Sequence, residues 1–345
     1  MIAIGAKDSL PYLIYQTTGG TWYWHGKLPD PNGVQFSALA TGPGNGGSLQ
    51  VVLIGAKDSL PYLIYQTTSG NWIWHGKLPD PNGVQFSAVA AGPGNNGYLQ
   101  VILIGAKDSL PYLIWQDGGG GWNWAGQRLD PNGVRFSAIA AGPTLKQAFT
   151  YLEVVGIGAT DQLANLIWQD RDGKWTWWGP MCCTNVPLKA IAGDSANFSY
   201  YAYGCNEWAV PWILIGLGAN DGLPYAYYIN NEDYCAGNLY RGQLPDPGVP
   251  FSALAMGDGN NQWVQVIGLG ASDGLPYLIW ADDTGNWYWH GQLPDPGVPF
   301  SAIATGTGNG GSLQVILIGA NDGLPYLIYQ TTSGTWYWHG KLPDP

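Results

Sequence analysis

Four histidines, His25, His75, His290 and His339, each follow a Trp-x-Trp pair, with an aspartate and a tyrosine upstream. The fullest sets are Asp8, Tyr12, Trp22, Trp24 and His25; Asp58, Tyr62, Trp72, Trp74 and His75; Asp273, Tyr277, Trp287, Trp289 and His290; and Asp322, Tyr326, Trp336, Trp338 and His339. A further set keeps Trp122 and Trp124 but has Ala125 in place of the histidine. Aromatic planes beside fixed donors and acceptors suit a ligand with an apolar C–H face and a ring of hydroxyls, which is the chemistry of a sugar. The same residues have plainer uses. An aspartate two residues before a Leu-Pro pair is expected to cap a turn. Two tryptophans two apart share one strand face, so at least one of each pair is expected in packing between repeats.

Other chemistry finds little support. Histidines at equivalent places in different repeats lie too far apart to share a metal ion, and Cys182, Cys183, Cys205 and Cys235 form no C-x-x-C spacing, so neither metal nor cofactor is expected. In an extracellular protein these cysteines would form one or two disulfides; in the cytosol they would be buried thiols. No D-x-D-x-D-G calcium loop occurs, and Gly42 to Gly47 lacks the Lys-Ser/Thr ending of a phosphate loop. Separated acids such as Asp194, Glu207, Glu232 and Asp233 are the only hint of a glycan-active enzyme. A site repeated many times matches binding better than catalysis, so no enzyme is expected.

The elements that must hold these residues follow from composition and repetition. The 345 residues include 52 Gly and 25 Pro, 46% are hydrophobic and 11% charged, which describes a chain able to bury a core made of many short strands. A net charge of −11, with no basic cluster, argues against nucleic acid and anionic membrane as partners. No apolar run reaches the roughly 20 residues of a membrane span. The opening Met1-Ile2-Ala3-Ile4-Gly5 lacks the basic segment of a secretory signal, and the sequence assigns no compartment.

The marker aspartate recurs as Asp8, Asp58, Asp108, Asp161, Asp221, Asp273 and Asp322, at spacings of 49 to 60 residues. Approximate repeats are 1–35, 36–85, 86–135, 136–187, 188–250, 251–299 and 300–345. Strand-like runs of four kinds recur, such as Phe86 to Ala90, Val51 to Ala56, Pro61 to Gln66 and Asn71 to His75, which together are the content of one propeller blade. No amphipathic stretch of helical period reaches ten residues. The terminal repeats are as aromatic as the middle ones, as expected for a ring rather than a capped solenoid. The fold class expected is all-β: one seven-bladed β-propeller domain over 1–345, with about four antiparallel strands per blade. The first strand occurs only six times, at Phe36, Phe86, Phe136, Leu188, Phe251 and Phe300, so one blade is a strand short. Truncation within the repeat, a three-stranded blade, or edge pairing with a second molecule would each account for this. Alternating hairpins should place Asp8, Tyr12, Trp24 and His25 on the rim formed by Ala6 to Ser9 and by Gly26 to Gln35, opposite Gly42 to Ser48 and Thr17 to Gly20.

The unit Asp-Gly-Leu-Pro-Tyr-Leu-Ile-Tyr/Trp, followed by Gly-x-Trp-x-Trp-x-Gly-x-Leu-Pro, resembles the seven-bladed, fucose-binding PLL-like lectins of Photorhabdus over nearly the whole chain. Aromatic-rich tectonin propellers are a looser match. The resemblance implies a multivalent lectin with glycans as partners, L-fucose or O-methylated sugars in pockets between neighbouring blades, and assembly into homo-oligomers. Its preferred sites are the four full sets, with a weaker one at Trp122 and Trp124. Repeat four departs from the pattern, with Ala164 and Asn165 for Pro-Tyr and Met181-Cys182-Cys183 for the Leu-Pro-Asp link. Repeat five has Leu239 and Arg241 where an aromatic and a histidine are expected. Neither is expected to bind sugar in the same way. The rival reading is a protein-interaction propeller in which every aromatic is packing.

Overall fold

The computed structural model describes residues 1–345 except 31, 45–46, 81, 95–96, 127–131, 147–148, 170–172, 182–184, 196–199, 203–206, 210–211, 230–238, 247, 260–262, 296, 309–310 and 344–345. Cys182, Cys183, Cys205 and Cys235 lie outside the described residues, as do Glu232, Asp233 and the side chains of Asp194 and Glu207. The chain is all-β, with no α-helix among the described residues. Seven antiparallel sheets form the blades of a β-propeller, and a small ribbon pairs Tyr200–Ala202 with Glu207–Ala209. Among the described residues no helix is long and apolar enough to cross a membrane.

The first sheet holds β1 (Ile2–Ile4), β2 (Pro11–Gln16) and β3 (Trp22–Lys27); the second holds β4 (Phe36–Pro43), β5 (Leu49–Gly55), β6 (Pro61–Gln66) and β7 (Trp72–Lys77) in that order. Every later blade repeats the four-stranded meander. Among the described residues the three-stranded blade is the first, in which β1 is paired by β2 alone.

Burial follows strand position. β5 is covered on both faces, and Val51, Val52, Leu53 and Ile54 have no exposed surface, which is why it reads as a continuous apolar run. β7 alternates, with Trp72, Trp74 and Gly76 turned inward and Ile73, His75 and Lys77 outward.

The chain divides into two compact units, one of residues 2–13 and 26–181, the other of residue 1, 14–25 and 182–345. Within the first unit, cores form between successive blades. Leu13, Leu28, Phe36, Val51, Leu53, Tyr62 and Ile64 make one; Val52, Ile54 and Leu63 join Phe86, Leu99, Val101 and Ile114 in the next. In the second unit the same relation joins Ile267, Leu269 and Leu278 to Phe300, Leu313, Val315 and Ile328. There the last blade also lies beside residues of the first, with Trp22 against Ile316, Leu327 and Leu342.

One irregularity recurs. Leu63 pairs with Gly76 but Ile64 with Trp74, so His75 is the extra residue of a β-bulge, followed by Gly76 at φ +96°. His290 before Gly291 and His339 before Gly340 occupy the same bulge. A bulge re-aims its side chain out of the pleat, which gives these histidines their direction.

Candidate functional site: cavities between blades

The recurrent aspartates act at the turn between the second and third strands. Asp58 Oδ1 accepts a hydrogen bond from the Leu60 N–H at 3.2 Å, and Oδ2 accepts one from the Tyr62 hydroxyl at 2.6 Å. The same lock joins Asp8 to Tyr12, Asp108 to Tyr112, Asp221 to Tyr225, Asp273 to Tyr277 and Asp322 to Tyr326, at 2.6 to 2.8 Å. In repeat four Asp161 still caps Leu163, but Asn165 replaces the tyrosine and donates to the Leu163 carbonyl. Lys27 and Lys77 add ion pairs of 3.1 Å to Asp8 and Asp58. The Tyr12 hydroxyl, with help from Leu10 N–H and Lys27, holds the Asp8 carboxyl below its ordinary range. Burial, reinforced by Asp108, pushes the Tyr112 phenol up to about 12.

The tryptophan pairs divide their work. Trp74 stacks on Tyr62 with centroids 5.6 Å apart, and Phe36 meets Tyr62 edge-on at 5.7 Å. Trp124 on Tyr112, Trp289 on Tyr277 and Trp338 on Tyr326 repeat this at 5.6 to 5.7 Å. These second tryptophans and the Asp–Tyr locks form one packed layer at the rim where the sequence places them.

The first tryptophan of each pair belongs to a different place. Trp122 lines a cavity of about 250 Å³ between the second and third blades, together with Gln50, Tyr65, Thr67, His75 and Gln116. Trp336 lines its counterpart of about 360 Å³ between the sixth and seventh blades, with Trp263, Gln265, Trp280, His290 and Gln330. Both cavities open beside the Thr67-type turn, at the rim opposite the Asp–Tyr locks.

The floor of each cavity is a pair of glutamines. Gln50 Nε2 donates to Gln116 Oε1 at 3.1 Å, and Gln116 Nε2 donates to the Gly120 carbonyl at 3.3 Å. That carbonyl fixes the Gln116 amide, which in turn fixes Gln50, because only an N–H can face Oε1. The relay recurs from Gln100 to Gln169, Gln265 to Gln330 and Gln314 to Gln16, at 2.9 to 3.2 Å. The Oε1 atoms of Gln50, Gln100 and Gln265 are left buried without a partner, as is the indole N–H of Trp336. Each such group costs about 1–3 kcal/mol unless something bonds it. In the 360 Å³ cavity an orphan acceptor and an orphan donor thus line the same space. The Trp263, Trp280 and Tyr288 rings form a stacked ladder at spacings of 5.1 and 4.7 Å, and the first two are part of its wall.

One position is closed. Between the fifth and sixth blades, Tyr228 is fully buried, and its hydroxyl accepts the Trp287 indole N–H at 2.7 Å while donating to the Gly285 carbonyl. The donor that stays unpaired at Trp336 is satisfied there from within.

Of the sequence-predicted residues, the cavities bring together His75 with Trp122 and His290 with Trp336. Asp58, Tyr62, Asp273, Tyr277, Asp322 and Tyr326, with Trp74, Trp124, Trp289 and Trp338, sit in the packed layer. Trp72 packs in the first interblade core, Trp22 packs against the last blade with its N–H buried and unpartnered, and Trp24 is half-buried. His25 and His339 lie edge-on to Tyr15 and Tyr329 at 6.4 and 6.5 Å. Sequence reasoning passed over Gln50, Tyr65, Gln116, Trp263, Gln265, Trp280 and Gln330. Their signal is a glutamine recurring within apolar strands.

Comparison with models of known families gives no match, and comparison with characterised proteins gives none. Solved structures do share the fold. A lectin of Aleuria aurantia in complex with Fucα1-6GlcNAc is 14% identical over 90% of this chain and 99% of its own, with a TM-score of 0.54. A protein from Lactobacillus plantarum is 11% identical over 99% and 94%, with a TM-score of 0.61. A puromycin hydrolase is 14% identical over 90% of this chain but 47% of its own, with a TM-score of 0.52. At these identities the likeness is one of β-propeller fold, shared by a sugar-binding protein and an enzyme alike.

Proposed function

We propose that the protein is a non-catalytic, multivalent lectin that takes one small neutral sugar residue, fucose or an O-methylated sugar, in each open interblade cavity. The observation that carries this reading is the glutamine relay, which leaves a buried amide oxygen unpartnered beside a tryptophan and a histidine. A sugar hydroxyl supplies the donor that the Gln265 Oε1 lacks and the acceptor that the Trp336 N–H lacks. Its apolar face suits the aromatic wall. Volumes of 250 to 360 Å³ lie at the small end of ligand pockets, which suits a single ring. Among the described residues none that lines either cavity is Asp, Glu, Lys or Arg, which favours a neutral sugar over an acidic one.

One shallow site binds weakly. Several sites on one molecule raise avidity by roughly 10² to 10⁴ when the target displays repeated glycans. Assembly into homo-oligomers would multiply this further. The test is a glycan array probed with the purified chain, with free L-fucose and methylated fucose as competitors. Binding to related glycans that the competitors abolish is expected. Silence across a broad array would point to a protein-binding scaffold.

A further inference from the structure

The outermost strand of each blade sets one residue directly opposite an aromatic residue of the strand before it. In the second, third and fourth blades the pairs are Tyr65 with Ile73, Trp115 with Asn123 and Trp168 with Thr176. In the sixth and seventh they are Trp280 with Tyr288 and Tyr329 with Tyr337. The fold itself needs no aromatic ring at this position, since isoleucine, asparagine and threonine all fill it. Yet Tyr288 and Tyr337 hold their rings there with 42% and 48% of their surface exposed.

Tyr288 is also fixed in place. Its ring stacks on Trp280 at 4.7 Å and 24°, and its hydroxyl donates to Asp282 Oδ2 at 3.0 Å. The Asp282 carboxylate is held in turn by the Thr284 and Asn286 N–H groups, each at 2.9 Å. A ring ordered before a ligand arrives loses little side-chain freedom when one binds. Gln265, Trp280 and Tyr288 stand opposite one another across three strands, and the first two line the 360 Å³ cavity with His290, two residues beyond Tyr288. The aromatic strip thus continues from the cavity wall to the open surface of the blade. Gln314, Tyr329 and Tyr337 repeat the row, with Tyr337 stacked on Tyr329 at 5.8 Å and Gln314 joined to Gln16 by its own relay.

Resting on the reading of the cavities as sugar sites, we infer that Tyr288 and Tyr337 form a second subsite. It takes the next ring of an oligosaccharide whose terminal residue sits over the Gln265 or Gln314 relay. An exposed tyrosine plane suits the C–H face of a pyranose that keeps its hydroxyls in water. The chain then carries sites of two lengths. The sixth and seventh blades read two linked rings, whereas the second and third, with Ile73 and Asn123, read one.

The experiment is calorimetric titration of the whole chain with methyl α-L-fucoside and with fucose-terminated disaccharides of differing linkage. It compares Tyr288→Ser and Tyr337→Ser, singly and together, in a Tyr23→Ser background that removes a further exposed stack, Tyr15 with Tyr23. Asn123 and Thr176 at the same strand position show that a small polar residue is tolerated there. In the background chain, part of the sites should hold at least one disaccharide roughly two- to tenfold more tightly than the monosaccharide, the worth of one aromatic contact. Each single replacement should remove a share of that difference, and the two together should abolish it. Disaccharides that bind no better than the monosaccharide overturn the inference, as does a difference that survives the double replacement, and both results leave single-ring binding standing. Failure of every ligand to bind overturns the lectin reading and the second subsite with it.

Discussion

Gln50 and Gln116 stand 66 residues apart, and their side-chain amides meet at 3.1 Å in a single fixed orientation. Each relay is built across two blades, so a cavity exists only where two successive repeats keep the pattern. The identity of one repeat does not decide whether a site works.

Removing one orphan group should weaken one site without touching the others. Trp336→Phe keeps an aromatic face but deletes the indole N–H, and one hydrogen bond is worth about 1 kcal/mol, or roughly a fivefold loss of affinity there. Calorimetry with free sugar should show part of the binding isotherm weakened while the remainder is unchanged. An unchanged isotherm would mean that the indole N–H does not meet the ligand.

The Asp–Tyr lock should serve stability and not binding. Tyr62→Phe removes the hydroxyl that donates to Asp58, and it should lower the unfolding free energy by about 1 kcal/mol in urea titrations. Sugar affinity should stay as it was. Lost affinity with unchanged stability would instead put the lock in the binding site.

Alkaline pH should loosen the fold through the same residues. The Tyr112 phenol titrates at about 12 in the folded chain, against an ordinary value of 10.0. A raised folded value means that its contribution is fully present below pH 10 and is lost as pH climbs from 10 to 12. Tyr62 and Tyr277 shift in the same direction. Melting temperatures between pH 8 and pH 12 should fall across that window while tyrosinate absorbance rises. A melting temperature that stays flat to pH 12 would contradict the assignment.

Three serines sit where the backbone favours glycine. Ser9, Ser59 and Ser109 have φ of 57° to 60°, and the later repeats place Gly222, Gly274 and Gly323 at the same turn with φ of 69°. A left-handed non-glycine residue costs roughly 1–2 kcal/mol, partly offset by the entropy that glycine loses on folding. Ser59→Gly should therefore raise stability by about 0.5 kcal/mol, and the triple replacement by correspondingly more. Thermal unfolding would show it, and a lower melting temperature would mean that the serine side chains contribute something the turn needs.

The repeats, the four strands and the Asp turns were legible in the sequence because each is a local pattern: alternation along a strand, glycine at turns, an aspartate two residues before Leu-Pro. The cavities were not, because they join side chains that the chain keeps about 65 residues apart. A lone glutamine within Leu49-Gln50-Val51-Val52 looks like an ordinary polar position in a strand. Its meaning emerges only from the partner in the next blade. Nor could alternation divide Trp72 from Trp74, since both lie on one face of β7; the bulge after Trp74 and the Tyr62 ring decide which joins the packed layer. The strand deficit was visible as a count, but its location at β1 needed the sheet order.

Among the described residues, pairing between strands stays within a single repeat, with consequences for how the chain reaches its native form. The stretches Leu49 to Gln66 and Leu99 to Gln116 differ only at Val52/Ile102 and Tyr65/Trp115. A hairpin exchanged between such repeats would satisfy every hydrogen bond and nearly every contact, so local energetics cannot proofread the error. What distinguishes the correct order is the irregular middle of the chain, where the spacing widens to 60 residues and Tyr228 closes its own cavity. The divergent fourth and fifth repeats thus number the others, giving an otherwise repetitive chain a unique sequence of assembly.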